Sequence, residues 1–179
     1  PISRTNTTQH GTIITTPNIK RTPQAIVKLA TWFQTEVLLE PEHGLYGFED
    51  RVLDDSVRED PRTGIRIVSL YSHKRKPTAA DLAGVDILVV DIHNLPVRCY
   101  TYITTLTYIL EAAQELGISV MILDRPNPYG FWNAAGALLE ESQRSFISFA
   151  PVPYLYSMTP GEYALWLAVM RLRNLRLSI

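Results

Sequence analysis

Two aliphatic runs narrow the folds open to this chain. Val85 to Ile92 is interrupted only by Asp86 and Asp91, and Ile118 to Leu123 only by Ser119. A strand with one wet face alternates apolar and polar residues, whereas a strand covered on both faces reads as a continuous apolar run. Both runs are far too short to cross a bilayer. Each therefore predicts a strand buried on both sides, which implies a parallel sheet layered with helices.

The rest of the chain supplies the alternation that such a sheet needs. Gly11 to Thr16 is β-branched and predicts a strand. Thr22-Pro23, with Ile26, Leu29, Ala30 and Phe33 at helical spacing, predicts a helix from Pro23 to Gln34. A strand over residues 36–40 follows. Residues 45–64 carry no period and read as a long excursion over the sheet edge, a kind of loop that is commonly functional. Ile65 to Tyr71 is the next expected strand. Thr78 with Asp81 three residues on predicts a short helix stopped by Gly84. A long helix is expected from Thr101 to Leu116, with Tyr102, Leu106, Ile109, Leu110 and Ala113 as its apolar stripe and Gly117 as its stop. A second irregular excursion runs to Glu141, and Phe146 to Phe149 and Val152 to Leu155 read as short extended pieces. Thr159-Pro160-Gly161-Glu162 combines a cap, a proline and a capping-box glutamate, so a helix is expected from Pro160 to about Arg173. Leu172 to Ile179 carries no stop signal. The fold class is α/β with a mainly parallel sheet, and residues 1–179 are expected to form one domain.

Charge and cysteine content exclude several functions. The net charge of −1 gives no bulk attraction to nucleic acid or to anionic lipid. Basic residues cluster at His73-Lys74-Arg75-Lys76, either a solvated loop or a holder of an anionic group. A single cysteine, Cys99, forbids an internal disulfide. No glycine-rich phosphate loop, Gly-x-Ser-x-Gly elbow or paired zinc-ligand motif is present. No cofactor is therefore expected, and the residues around Glu42-His43, Asp91 and His93 lack a specific metal-ligand spacing.

The chemistry concentrates where strands end. Glu40-Pro41-Glu42-His43-Gly44 terminates the strand at 36–40, since proline cannot donate to a central ladder. Asp91 and Asp124 terminate the two aliphatic strands. If the strands are parallel, Glu42, Asp91 and Asp124 share the carboxyl edge of the sheet, where open α/β folds bind ligands. His43, His93, Asn94, Arg98, Arg125 and Asn127 join them as a polar rim. Arg98 and Arg125 have the forked geometry that grips a carboxylate, and Tyr100 and Tyr102 flank the start of the long helix, where rings can stack on a sugar or fill a core. Each acid also has a structural alternative. Asp91 can cap the following turn, and Asp124 can pair with Arg125 or Arg98.

The motifs Glu40-Pro41-Glu42-His43-Gly44, Pro61-Arg62-Thr63-Gly64, Ser69-Leu70-Tyr71, Arg75-Lys76-Pro77-Thr78, Asp91-Ile92, Arg98 with Tyr100-Thr101-Tyr102, Asp124-Arg125-Pro126-Asn127-Pro128 and Met158-Thr159-Pro160-Gly161-Glu162 occur in the order seen in the DUF1343 family. The chain resembles that family, which comprises NamZ-like exo-β-N-acetylmuramidases, from about Gly11 to Ala168. The resemblance implies a Rossmann-like domain followed by a smaller C-terminal domain that these residues do not include. It implies a bacterial glycosidase acting on peptidoglycan-derived muramyl saccharides, outside the cytoplasm. It also implies Glu42 as the leading catalytic carboxylate, with Asp91 and Asp124 as candidate partners. Arg98, Arg125 or Lys76 would meet the lactyl carboxylate, and Asn127, His43 and Tyr100 other parts of the sugar. The chain departs from the family at Asn94 and Pro96, where the usual residues are an acid and a glycine. That departure favours an alternative in which the cleft binds muropeptides without catalysis, and a vestigial structural domain is the third possibility. The apolar helix from Thr159 is expected to expose surface that favours self-association.

Overall fold

The structure is a computed structural model that describes residues 10–15, 26–28, 30, 34–46, 58–129 and 133–179. The strands are β1 (His10–Thr15), β2 (Gln34–Glu40), β3 (Arg58–Glu59), β4 (Arg66–Ser69), β5 (Ile87–Asp91), β6 (Ser119–Ile122), β7 (Ala135–Leu138), β8 (Pro153–Leu155) and β9 (Leu177–Ser178). The helices are α1 (Tyr102–Leu116) and α2 (Pro160–Met170), with a 3-10 turn at Glu141–Gln143. One sheet has the order β3-β4-β2-β1-β5-β6-β9, and β7 pairs with β8 in a separate ribbon.

All ladders in the large sheet are parallel except that between β3 and β4. Leaving out β3, the strands lie in the chain order third, second, first, fourth, fifth, sixth, which is the order of a doubly wound sheet. The order reverses between β1 and β5. The carboxyl ends of β2, β5 and β6 then open on one edge, beside that reversal.

The aliphatic runs are buried on both faces as their composition requires. Along β2, Val37 and Leu39 face one layer with Leu88 and Val90 of β5, while Leu38 faces the other with Val89. The first layer is closed by α1 and α2 through Ile103, Leu106, Leu110, Tyr163, Ala164 and Leu167. The second contains Ile26 and Leu45. All five residues expected in the stripe of α1 are buried. Gly117 ends the helix in the left-handed region, at φ 68°, where a side chain would be strained.

Several expectations change. Of the helix expected from Pro23 to Gln34, residues 26–28 and 30 are helical and Gln34 instead opens β2, while the remainder lies outside the described residues. Thr78 and Asp81 do exchange the bonds of a helix start, Thr78 N–H to Asp81 Oδ2 at 2.8 Å and Asp81 N–H to Thr78 Oγ1 at 3.3 Å. No helix follows, because the chain reaches Gly84 at φ 79° after a single turn. Within the excursion over 45–64, residues 47–57 lie outside the described residues and Arg58–Glu59 form the edge strand β3. Asp60 then closes a tight turn, accepting from Thr63 N–H at 3.0 Å and Thr63 Oγ1 at 2.6 Å. This gives the motif Pro61-Arg62-Thr63-Gly64 a structural task.

α2 is apolar almost all round. Tyr163, Ala164 and Leu167 are buried, yet Leu165, Val169 and Met170 are 51%, 72% and 60% exposed. The apolar surface expected on this helix is therefore present. Among the described residues no helix is long and apolar enough to cross a membrane.

Candidate functional site

β2 delivers its carboxylates to opposite fates. Glu40, the last residue of the strand, is 2% exposed. It pairs with Arg58 of β3 and accepts the backbone N–H of Leu45 at 3.3 Å. Two residues later, after Pro41, Glu42 is half-buried and reaches the start of α1. The turn between them is tight, with Gly44 N–H donating to Pro41 C=O at 3.0 Å. His43 carries a φ of 71°, the one positive value among the described non-glycine residues. Strain of this kind persists where surrounding contacts enforce it, and it is frequent at functional sites.

Two groups from α1 and its approach hold Glu42, and a third stands beside them. Thr101 Oγ1 donates to Glu42 Oε2. Tyr102 Oη donates to the Glu42 carbonyl at 3.1 Å. Tyr100 stands beside Tyr102 with ring centroids 5.0 Å apart and planes at 77°, an edge-to-face pair. The phenols feel the carboxylate. Burial and then the Glu42 charge raise the pKa of Tyr100. Burial, Tyr100 and Glu42 together raise that of Tyr102. For Tyr71, which follows β4, hydrogen bonding with Glu42 is the leading cause of an upward shift. All three phenols therefore remain protonated donors at neutral pH.

Glu42, His43, Cys99, Tyr100, Thr101, Tyr102 and Ile147 line a pocket of about 280 Å³. It lies at the small end of the range for ligand pockets. Its lining combines one carboxylate with two tyrosines, a combination suited to a hydroxylated ring. One wall, carrying Ile147, is anchored from beneath by Arg98. The Arg98 guanidinium donates to Ser148 Oγ at 2.9 Å, Ala137 C=O at 2.8 Å and Val152 C=O at 2.7 Å. Arg75 lies between the rings of Tyr71 and Phe146, 4.2 and 4.4 Å from their centroids, and ties the same wall to β4.

The structure therefore gathers Glu42, His43 and Tyr100 and sends the other expected residues elsewhere. Asp91 is 6% exposed and paired with Arg125, whose Nε donates to Asp91 Oδ1 at 3.0 Å. Among the described residues Asp124 forms no ion pair with Arg98 or Arg125. It accepts Thr159 Oγ1 at 2.7 Å and the Gly161 N–H at 2.8 Å, which places it on the first turn of α2. Lys76 lies against Glu115 at 2.7 Å and Glu111 at 3.7 Å on the far part of α1, in a separate shallow hollow. Asn127 accepts the Tyr129 N–H at 2.7 Å, and its buried Nδ2 has no partner among the described residues. Asn94, at the position where an acid was expected, is buried and donates to the Tyr156 hydroxyl. No three His, Cys, Asp or Glu side chains among the described residues gather as a metal site.

Sequence reasoning missed Thr101 and Tyr71 as site residues and weighed Tyr102 mainly as core. The available signal was position, since Tyr71 closes the β4 segment and Thr101 opens the helix that follows Asp91.

Residues 7–179 match the family model described as exo-β-N-acetylmuramidase NamZ, N-terminal. The chain belongs to the NamZ family. It is 45% identical over 129 residues to the peptidoglycan β-N-acetylmuramidase NamZ of Bacillus subtilis strain 168, an alignment that covers 71% of this chain and 31% of that enzyme. Crystal structures of two DUF1343 family proteins from Bacteroides fragilis NCTC 9343 share the fold. One superposes with a TM-score of 0.79 at 34% identity, covering 94% of this chain and 44% of the other. The second gives 0.73 at 26% identity, covering 95% and 45%. This chain thus spans about a third of the Bacillus NamZ and less than half of each solved relative.

Proposed function

We propose that this NamZ-family domain carries the catalytic carboxylate of a glycosidase that releases terminal N-acetylmuramic acid from peptidoglycan fragments. The observation that carries the reading is the placement of Glu42. It stands at the carboxyl end of a parallel strand, in a strained turn, gripped by Thr101 and lining a pocket walled by Tyr100 and Tyr102. In the proposed reaction protonated Glu42 gives its proton to the glycosidic oxygen as the bond to the anomeric carbon breaks, water adds its hydroxyl to that carbon, and water's other proton passes to solvent, from which Glu42 is reprotonated. His43 and Tyr100 line the space that the sugar would occupy. Asp91 stays an ion pair with Arg125 behind the edge, and Asp124 serves the fold.

A second reading, saccharide binding without hydrolysis, is favoured by one observation. Asn94 replaces an acid and is engaged with Tyr156 inside the protein. The deciding experiment uses the 179-residue chain and a defined muramyl disaccharide. Release of free N-acetylmuramic acid that disappears in Glu42→Gln supports the hydrolase. Saturable binding of the disaccharide with no release, by both proteins, supports the binding module. Neither release nor binding refutes both.

A further inference from the structure

The two helices begin in opposite ways although both begin with threonine. At α2, Thr159 is extended, with φ −70° and ψ 165°, and its hydroxyl accepts the Glu162 N–H while the Glu162 carboxylate accepts the Thr159 N–H. That is a complete capping box. At α1, Thr101 occupies the equivalent position with φ −62° and ψ −17°, already helical, and makes no side-chain cap bond. An extended backbone is what lets a cap side chain fold back onto the first turn. Thr101 has given up that geometry, and its hydroxyl points instead to Glu42 Oε2.

No acid from α1 itself lies in the first turn. The carboxylate beside this helix start is Glu42, contributed by another element. The next residue completes the grip, since Tyr102 Oη holds the Glu42 carbonyl at 3.1 Å. Thr101 thus holds the side chain, together with the Tyr71 phenol, and Tyr102 holds the backbone of the same residue, the two from α1 and its approach standing at consecutive positions 59 and 60 residues away in the chain.

We infer that Thr101 is a positioning residue, whose hydroxyl is withheld from helix capping so that it can aim the Glu42 carboxylate into the pocket. This rests on the reading of Glu42 as the catalytic carboxylate. Thr101 takes no part in bond making. Its contribution is to keep the carboxylate in one orientation, and small misplacements of a catalytic group are costly in rate.

The test compares Thr101→Val, which keeps the shape and loses the donor, with Thr101→Ser, which keeps the donor. Release of N-acetylmuramic acid from the muramyl disaccharide is followed for both, together with thermal unfolding and a crystal structure of each. The valine variant is expected to lose about tenfold or more in kcat with KM unchanged. Its melting temperature should fall by a few degrees at most, the effect of one lost hydrogen bond, because no cap bond is removed. Its Glu42 carboxylate should be turned away or spread over rotamers. The serine variant should restore rate and orientation together. A valine variant with the parent kcat, or with Glu42 held as in the parent, overturns the inference. If the parent chain itself releases nothing, the proposed hydrolysis fails instead, and the Glu42 orientation in the two crystal structures decides positioning by itself.

Discussion

Asp124 is the residue for which the sequence suggested catalysis and the structure supplies a mechanical task, so its removal separates the two. Its carboxylate accepts the Thr159 hydroxyl at 2.7 Å and the Gly161 N–H at 2.8 Å. The same Thr159 hydroxyl accepts the Glu162 N–H at 3.1 Å, so Asp124 orients the cap as well as adding to it. Hydrogen bonds to an ionised acceptor contribute about 1.5–3 kcal/mol each when shielded. Asp124 is exposed, so solvent reduces each of its two bonds to about 0.5–1 kcal/mol, and the helix dipole adds about 0.3–1 kcal/mol. Asp124→Ala should therefore destabilise the protein by about 2 kcal/mol, or roughly 4–8 °C in Tm at this chain length. Asp124→Asn keeps an acceptor oxygen and loses the charge, so it should cost about half as much. Urea unfolding monitored by tryptophan fluorescence measures both, and hydrogen exchange at the Gly161 amide should quicken in the alanine variant. Loss of hydrolysis in Asp124→Asn at parental stability would refute the structural account. So would an alanine variant within about 0.5 kcal/mol of the parent, the ordinary scatter of surface changes.

Arg98 donates to three acceptors under the Ile147 wall, and Arg98→Lys cannot reproduce the fork. Both Arg98→Lys and Arg98→Ala should speed limited proteolysis between residues 134 and 150 and cost about 2–3 kcal/mol in urea unfolding. Thr104 is fully buried in α1 with its Oγ1 unpartnered among the described residues. Thr104→Val should leave stability unchanged or raise it by about 1 kcal/mol, read as a higher urea midpoint. For Asp81, burial works against ionisation but the bonds from Lys74 and Thr78 outweigh it, leaving its pKa below the usual carboxylate value. A folded-state pKa below the unfolded one adds stability at neutral pH, which is lost as pH falls from above 3.8 through the lowered value. Asp81→Asn should flatten the acid limb of a stability–pH curve and lower the stability plateau above pH 5.

The central sheet was legible because its signals are local. Val85 to Ile92 could be recognised as a doubly covered strand without knowing its neighbours, and Thr159-Pro160-Gly161-Glu162 contains every part of its own cap. β3 and β9 were not legible, since Arg58–Glu59 and Leu177–Ser178 become strands only because β4 and β6 present open edges to them. The turn after Thr78 shows the converse, a sound local start cut short by Gly84. In the site, Glu42 could be found from its place after Pro41. The roles of its companions could not. Whether Arg125 meets Asp91 or Asp124, whether Arg98 faces a ligand or Ala137 C=O, and whether Thr101 caps a helix or grips a carboxylate all depend on contacts between distant segments. Nothing in residue type or spacing distinguishes those outcomes.

The edge strand β3 has a consequence for the behaviour of the protein at high concentration. A sheet margin exposes a row of unpaired N–H and C=O groups that can template pairing with a second molecule. Here that margin is a two-residue segment running against the direction of the rest, with Arg58 drawn inward to Glu40. Among the described residues this border is short, charged and reversed, unlike the long parallel ladder that would invite a neighbour to continue the sheet. The ion pair that buries Glu40 thus also pins this border to the sheet, next to the turn that presents Glu42.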